Sequence, residues 1–232
     1  MRQFHLPGEK MFVDFCGKTV PILNIDTGEE TKAQIFVAAL GGSSYTFAYA
    51  VGSQSSVDWV KCHVEAMKYF GGVPKQVIPD NLKAAIIKNT KYDVVVNQAF
   101  EECAEHYGFL IIPARVKKPK DKALAEVSVQ IVQRWVLARL RHRKFFNLDE
   151  LNQAILECLE ILNKKQTRAY PKSRFQLFTE LEKPVLLPLP AQEYEISSWL
   201  YQVKVPEDYH IKYNESYYSV PYQHRFKKVD YG

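Results

Sequence analysis

Three carboxylates stand out by their context. Asp14 interrupts the apolar run MFVDFC (11–16), which Gly17 closes; Asp80 ends the short apolar segment KQVIPD; Glu126 lies within a long basic helical stretch. Carboxylates brought close together repel one another, and one buried singly costs several kcal/mol unless it is protonated or paired. A divalent cation removes that penalty. Hard oxygen ligands suit Mg²⁺, with Mn²⁺ as a substitute, and two such ions about 3.5–4 Å apart can activate a nucleophilic oxygen and stabilise the leaving oxygen of a phosphodiester. Taken one at a time, the three acids also have plain explanations. Asp14 could cap or face solvent at an edge, Asp80 could serve the Pro-Asp-Asn turn, and Glu126 could be an ordinary helix glutamate. Asp26, Asp93 and Asp121 sit in turn or helix-start contexts that account for them.

The positive charge is concentrated in one place. The chain has 31 Lys/Arg against 26 Asp/Glu, a net +5, but residues 113–146 alone hold ten Lys/Arg and two acids. Removing that segment leaves 21 basic and 24 acidic residues, so one stretch carries the whole positive character and marks a localised polyanion-binding surface. Arg115, Lys117, Lys118, Lys120 and Lys122 are its candidates for contact with a nucleic-acid backbone, joined by Gln130 and Arg134. Arg139, Arg141, Arg143 and Lys144 are explained equally well by the helix dipole.

These residues need elements to position them. MFVDFC reads as a strand, residues 17–31 as a polar edge hairpin with a turn at Asp26-Thr27-Gly28, and QIFVAAL (34–40) and YTFAYAV (45–51) as two further strands around Gly41-Gly42-Ser43-Ser44. Ser55 and Ser56 offer caps to a helix in which Val57, Val60, Val64 and Met67 recur, stopped by Gly71-Gly72. A fourth strand ends at Asp80. It is followed by a helical turn at NLKAAII, a polar loop, a second helix ending at Gly108, a fifth strand FLIIPA and a long helix from Asp121 to about Arg143. On that helix Lys122, Glu126, Gln130 and Gln133 make a polar stripe that can face the sheet edge where the two aspartates emerge, and Leu124, Val127, Ile131 and Trp135 make an apolar one, with Trp135 read as a core residue. Beyond it, NLDELNQAILECLEILN (147–163) reads as an amphipathic helix and residues 167–190 as a Pro-punctuated linker. YQVKVPEDYHIKYNESYYSVPYQ then alternates like the strands of a small β module.

The order βββαβαβα builds a mixed five-stranded sheet flanked by helices, with the first and fourth strands side by side, as in RNase H-like α/β domains. No stretch reaches the roughly 18 apolar residues of a membrane helix, and the first residues, MRQFHLPGEK, lack the apolar core expected of a secretory signal. Cys16, Cys62, Cys103 and Cys158 lack metal or disulfide spacing and read as buried thiols, so a cytoplasmic setting is expected. His63 and His106 read as packing or surface residues.

GEKMFVDFCG around Asp14, VIPDNLKAAI around Asp80, HYGFLIIPARVKKPKDKALAEVSVQIVQRWVLARLR around Glu126 and YYSVPY near the end together resemble the DDE transposases and integrases, specifically the IstA-type transposases of bacterial insertion sequences. The resemblance covers nearly the whole chain. It implies that Asp14, Asp80 and Glu126 are the metal-binding acids, that two Mg²⁺ ions serve hydrolysis at transposon ends and strand transfer into target DNA, and that a multimer works beside an AAA+ ATPase. It also implies action at the bacterial nucleoid. Family members carry an N-terminal helix-turn-helix module, and here the first catalytic strand begins ten residues from Met1, so the chain is expected to be a fragment. The expected organisation is a catalytic core over 1–146, a helical extension and linker over 147–190, and a small, truncated β module over 191–232. The alternatives are an RNase H-like nuclease that only hydrolyses and a non-catalytic remnant that binds DNA or oligomerises.

Overall fold

The first strand carries alternate residues to opposite faces, and both faces find partners. In the computed structural model, which describes residues 5–79, 86–89, 94–112, 119–166, 171–196, 200–213 and 215–231, β1 (Lys10–Phe15) is flanked on both sides. It pairs antiparallel with the long β3 (Glu30–Leu40), Asp14 opposite Val37, and parallel with β5 (Gln76–Pro79), Val13 opposite Pro79. β2 (Val20–Leu23) pairs with the outer end of β3, β4 (Thr46–Val51) with its inner stretch, and β8 (Leu110–Ile111) extends the sheet from β5. The mixed sheet with the first and fourth expected strands adjacent is therefore observed.

Helix α1 (Ser56–Phe70) covers one face. Ser55 caps it by accepting from the Asp58 amide, and Gly71 closes it in the left-handed conformation at φ 65°, which a glycine adopts without strain. Trp59 of this helix meets Phe15 of β1 and Phe36 of β3 with ring centroids 5.6 and 5.5 Å apart, while His63 sits 4.6 Å from Phe100 of α2 (Gln98–Tyr107). His63 is wholly buried, donates from Nδ1 to the Trp59 carbonyl at 2.8 Å, and is held neutral because burial pushes its pKa down to about 4. All four cysteines are free and buried, as expected.

Two departures follow from local chemistry. Ile86–Asn89 and Val94–Val96 form the short hairpin β6–β7, so the end of NLKAAII is strand rather than helix. The β-branched Ile86, Ile87 and Val94–Val96 favour the extended backbone over a single isolated turn. The segment expected to be a linker also has structure: α6 (Arg174–Leu177) runs into further helical turns through Val185, and Val73 and Leu187 exchange backbone hydrogen bonds at 2.8 and 2.9 Å. Glu182 is the fastening. Its fully buried carboxylate accepts from the amides of Gly42 (2.5 Å) and Ser43 (3.0 Å) in the β3–β4 turn, where a Cβ at position 42 would come within 2.7 Å of Oε1.

Helix α5 (Leu148–Lys164) supplies a second device. β4 hydrogen-bonds to β3 alone among the described strands. On the apolar face of α5, Asn152 accepts from the Ala50 amide at 2.7 Å and donates to its carbonyl at 3.0 Å, and Asn163 does the same at Thr46 (3.1 and 2.7 Å). Two side chains thus stand in for a neighbouring strand at β4. The chain divides into two compact units, Met1–Tyr194 and Glu195–Gly232. The second holds two antiparallel pairs, β9 (Leu200–Lys204) with β12 (Lys228–Tyr231) and β10 (His210–Tyr213) with β11 (Ser216–Ser219), around buried Val205 and Ile211.

Asn163→Ala should destabilise the chain by about 1–3 kcal/mol in urea unfolding, because it strands the buried Thr46 amide and carbonyl. Burial raises the Glu182 pKa from 4.5 to about 7. With the folded pKa above the unfolded one, its contribution to stability is complete below about pH 4.5 and is lost as pH rises through about 7. A pH series of urea midpoints should show that decline, and Glu182→Gln should flatten it.

Candidate active site

Phe12, Asp14 and Cys16 share the face of β1 opposite α1, and a second helix covers it. α3 (Pro119–Val132) continues through a π-helical turn (Gln133–Leu137) into α4 (Ala138–Leu140). Ala125 of α3 packs into a cluster with Phe12 of β1 and Ile78 of β5, bordered by Leu124. Eight residues later the Gln133 amide lies 3.2 Å from Cys16 Sγ. The two contacts fix the direction of the helix. From Ala125 to Gln133 is about 12 Å at 1.5 Å per residue, and from Phe12 to Cys16 about 13 Å at 3.3 Å per residue, so helix and strand run alongside each other in the same sense. Small Ala125 and buried Ser128 allow the close approach.

Asp14 lies midway along this seam. It is half-buried, and the following amide, that of Phe15, donates to its Oδ1 at 2.8 Å. Glu126 and Gln130 are exposed and lie on the helix ridge that ends in Gln133, the residue turned towards β1. Asp14 and Glu126 therefore belong to one side of the sheet, along one helix–strand seam. The parallel register with β5 stops at Val13↔Pro79, one residue before Asp14 on β1.

Asp80, Arg115, Lys117 and Lys118 lie outside the described residues. Lys120 and Lys122 fall in the first turns of α3, and Arg134 is exposed in the π turn. Among the described residues no group of three or more His, Cys, Asp or Glu is arranged to hold a metal ion. The carboxylate oxygens of Asp14 and Glu126 fit a hard divalent cation, and the thiol on this face, Cys16, is buried against the Gln133 amide.

The apolar stripe expected on this helix is corrected. Its core face is Ala125, Ser128, Val132, Val136, Leu137 and Leu140, whereas Val127 and Trp135 are 47% and 37% exposed. A regular 3.6-residue period would put Trp135 inside; the π turn accommodates an extra residue, swings Trp135 outward and brings both Val136 and Leu137 in. The two asparagines of α5 had no signal in the sequence beyond polar residues standing in an otherwise apolar stripe, and the Gln133–Cys16 contact none beyond the place of Gln133 in the polar stripe of its helix.

Known proteins match the chain in sequence and in fold. The family described as Integrase core domain matches residues 5–119, and the one described as Mu transposase, C-terminal domain, matches residues 189–231. The chain is 47% identical to the "Putative transposase for insertion sequence IS1162" of Pseudomonas fluorescens over 95% of this chain and 39% of that protein. It is 30% identical to the "Transposase for insertion sequence element IS21" of Pseudomonas aeruginosa over 84% of this chain and 49% of that one. The chain thus spans less than half the length of these curated relatives. Among solved structures, the HTLV-2 integrase catalytic core domain in complex with magnesium superposes with a TM-score of 0.53 at 18% identity, over 76% of this chain and 99% of that one. A chain of the simian T-cell lymphotropic virus intasome in complex with PP2A regulatory subunit B56 gamma gives 0.56 at 17% identity, over 88% of this chain and 65% of that one. These likenesses establish the RNase H-like fold.

Ala125→Leu should push α3 off Phe12 and Ile78, lowering stability by about 1–3 kcal/mol in chemical unfolding.

Proposed function

Because the chain belongs to the integrase-core transposases of bacterial insertion sequences, we propose that its first unit is the catalytic core of a DNA transposase that hydrolyses and rejoins phosphodiesters with a divalent metal. The observation that carries this reading is Asp14, half-buried on the central strand one residue past the end of the β1–β5 register, beside a helix that packs on the same face of that strand and carries Glu126. Asp14, Asp80 and Glu126 are the acids of this site, with Mg²⁺ as the natural ion and Mn²⁺ as its substitute.

When bound, two such ions would supply charge neutralisation for the three carboxylates, a more acidic attacking water and stabilisation of the leaving oxygen. In this reading Asp14, Asp80 and Glu126 would together hold the ions. The fold supplies rigidity. Asp14 is fixed by pairing on both sides of its strand and by the Phe15 amide, and Glu126 by the packing of Ala125 beside it. In the first step a water oxygen bonds to phosphorus and the bond to the 3′ oxygen breaks, releasing a 3′-hydroxyl. In the second, that hydroxyl oxygen attacks a phosphorus of target DNA and a target 3′ oxygen leaves.

Arg115, Lys117, Lys118, Lys120, Lys122, Gln130 and Arg134 would hold the flanking phosphates. Homo-oligomers on paired DNA ends and an AAA+ ATPase helper are the partners this reading carries, at the nucleoid of a bacterial cell. No helix among the described residues is long and apolar enough to cross a membrane.

Purified chain incubated with end-labelled duplex DNA and Mn²⁺ should yield nicked and joined products. Asp14→Asn, Asp80→Asn and Glu126→Gln should each lower the rate by about a hundredfold or more while DNA retention in gel shifts persists. Joined products separate strand transfer from plain hydrolysis. Nicking that survives Asp80→Asn, or that proceeds in chelator, would overturn the assignment, and DNA retention with no nicking at all would support a non-catalytic binding protein.

A further inference from the structure

The π turn that exposes Trp135 also gives the ring an occupation. The Lys165 ammonium, just beyond the end of α5, lies 3.5 Å from its centroid, and the Arg139 guanidinium of α4 lies 6.0 Å away. Both distances are within cation–π range. One indole thus fixes two long cationic side chains that arrive from different helices. Ordering such a side chain costs up to about 2 kcal/mol of rotamer entropy, and here part of that ordering precedes any ligand.

The nearby carboxylates are already engaged. Glu157 faces Arg143 at 3.8 Å and Glu160 pairs with Lys164 at 2.5 Å, and among the described residues neither Lys165 nor Arg139 has a carboxylate at ion-pair distance. Arg141 is turned onto His142 at 2.9 Å. The result is a pair of cations gathered on one ring without a carboxylate partner among the described residues, which suits a phosphate backbone.

We propose that Trp135, Lys165 and Arg139 form a phosphate grip for duplex DNA, separate from the carboxylate seam. The inference rests on the transposase reading. Trp135 is nine and Arg139 thirteen residues beyond Glu126, about 13 and 20 Å along the helix. The grip adds affinity and register without reading sequence.

The test is binding of the full chain to a fluorescent duplex, followed by anisotropy across a salt series. Each lost phosphate contact should lower the slope of log K against log salt by about 0.9, so the double variant Lys165→Gln/Arg139→Gln should lower it by about 1.8. Trp135→Ala should weaken binding at fixed salt with a smaller change in slope, since both charges remain, and Trp135→Phe should recover part of the loss. Thermal melts of these surface variants report any folding defect separately. An unchanged slope in a double variant that still nicks DNA would overturn the grip alone. An equal loss from Lys18→Gln/Lys61→Gln, two exposed lysines placed elsewhere, would overturn it too by assigning the effect to bulk charge. Failure of the unaltered chain to bind DNA would overturn both the grip and the transposase reading.

Discussion

A carboxylate on the central strand of a sheet is the constraint around which this molecule is arranged. β1 is hydrogen-bonded on both sides, and its Met11, Val13 and Phe15 face is closed by α1. The opposite face has to be covered as well, because Phe12 cannot be left in water, yet complete coverage would bury Asp14 without solvation. Helix α3 meets both demands. It touches β1 at Phe12 through Ala125 and again at Cys16 through Gln133, and passes over Asp14 while leaving the carboxylate partly accessible.

That helix can hold its line because the surrounding structure is fastened by polar groups as well as apolar ones. Asn152 and Asn163 tie α5 to the backbone of β4, and Glu182 ties the segment after α6 to the turn between β3 and β4. Each uses a buried side chain to satisfy backbone groups that no strand reaches, an arrangement more directional than hydrophobic contact. The Glu182 arrangement is strained electrostatically. Its second oxygen is buried without a partner, which is why burial favours the protonated acid near neutrality.

The π turn links this architecture to the surface. One extra residue in the ladder lets α3 bury Val136 and Leu137 together and turns a tryptophan outward beside cations from α4 and α5. The same backbone irregularity thus serves packing on one side and, in the reading advanced above, a polyanion on the other. The family assignment rests on matches over both units, and the fold assignment on superposition with integrase catalytic cores.

Much of this was legible in the sequence, since it depends on short-range periodicity. Alternation in MFVDFC, QIFVAAL and YTFAYAV, the Ser55 and Gly71 punctuation of α1 and the apolar ridge of α5 report which residues point inward, and those rules act within a few residues. The motif blocks around Asp14, Asp80 and Glu126 carried the family in the same way. Three things were decided only by tertiary structure. Trp135 is set by a π turn that a fixed helical period cannot anticipate; Asn152 and Asn163 matter only because β4 lies opposite them; and Glu182 acquires its partners from a turn 140 residues away. The last two depend on backbone hydrogen-bonding groups brought together by the fold, and a backbone group left unpaired by one segment leaves no mark on the residue type of the distant segment that satisfies it.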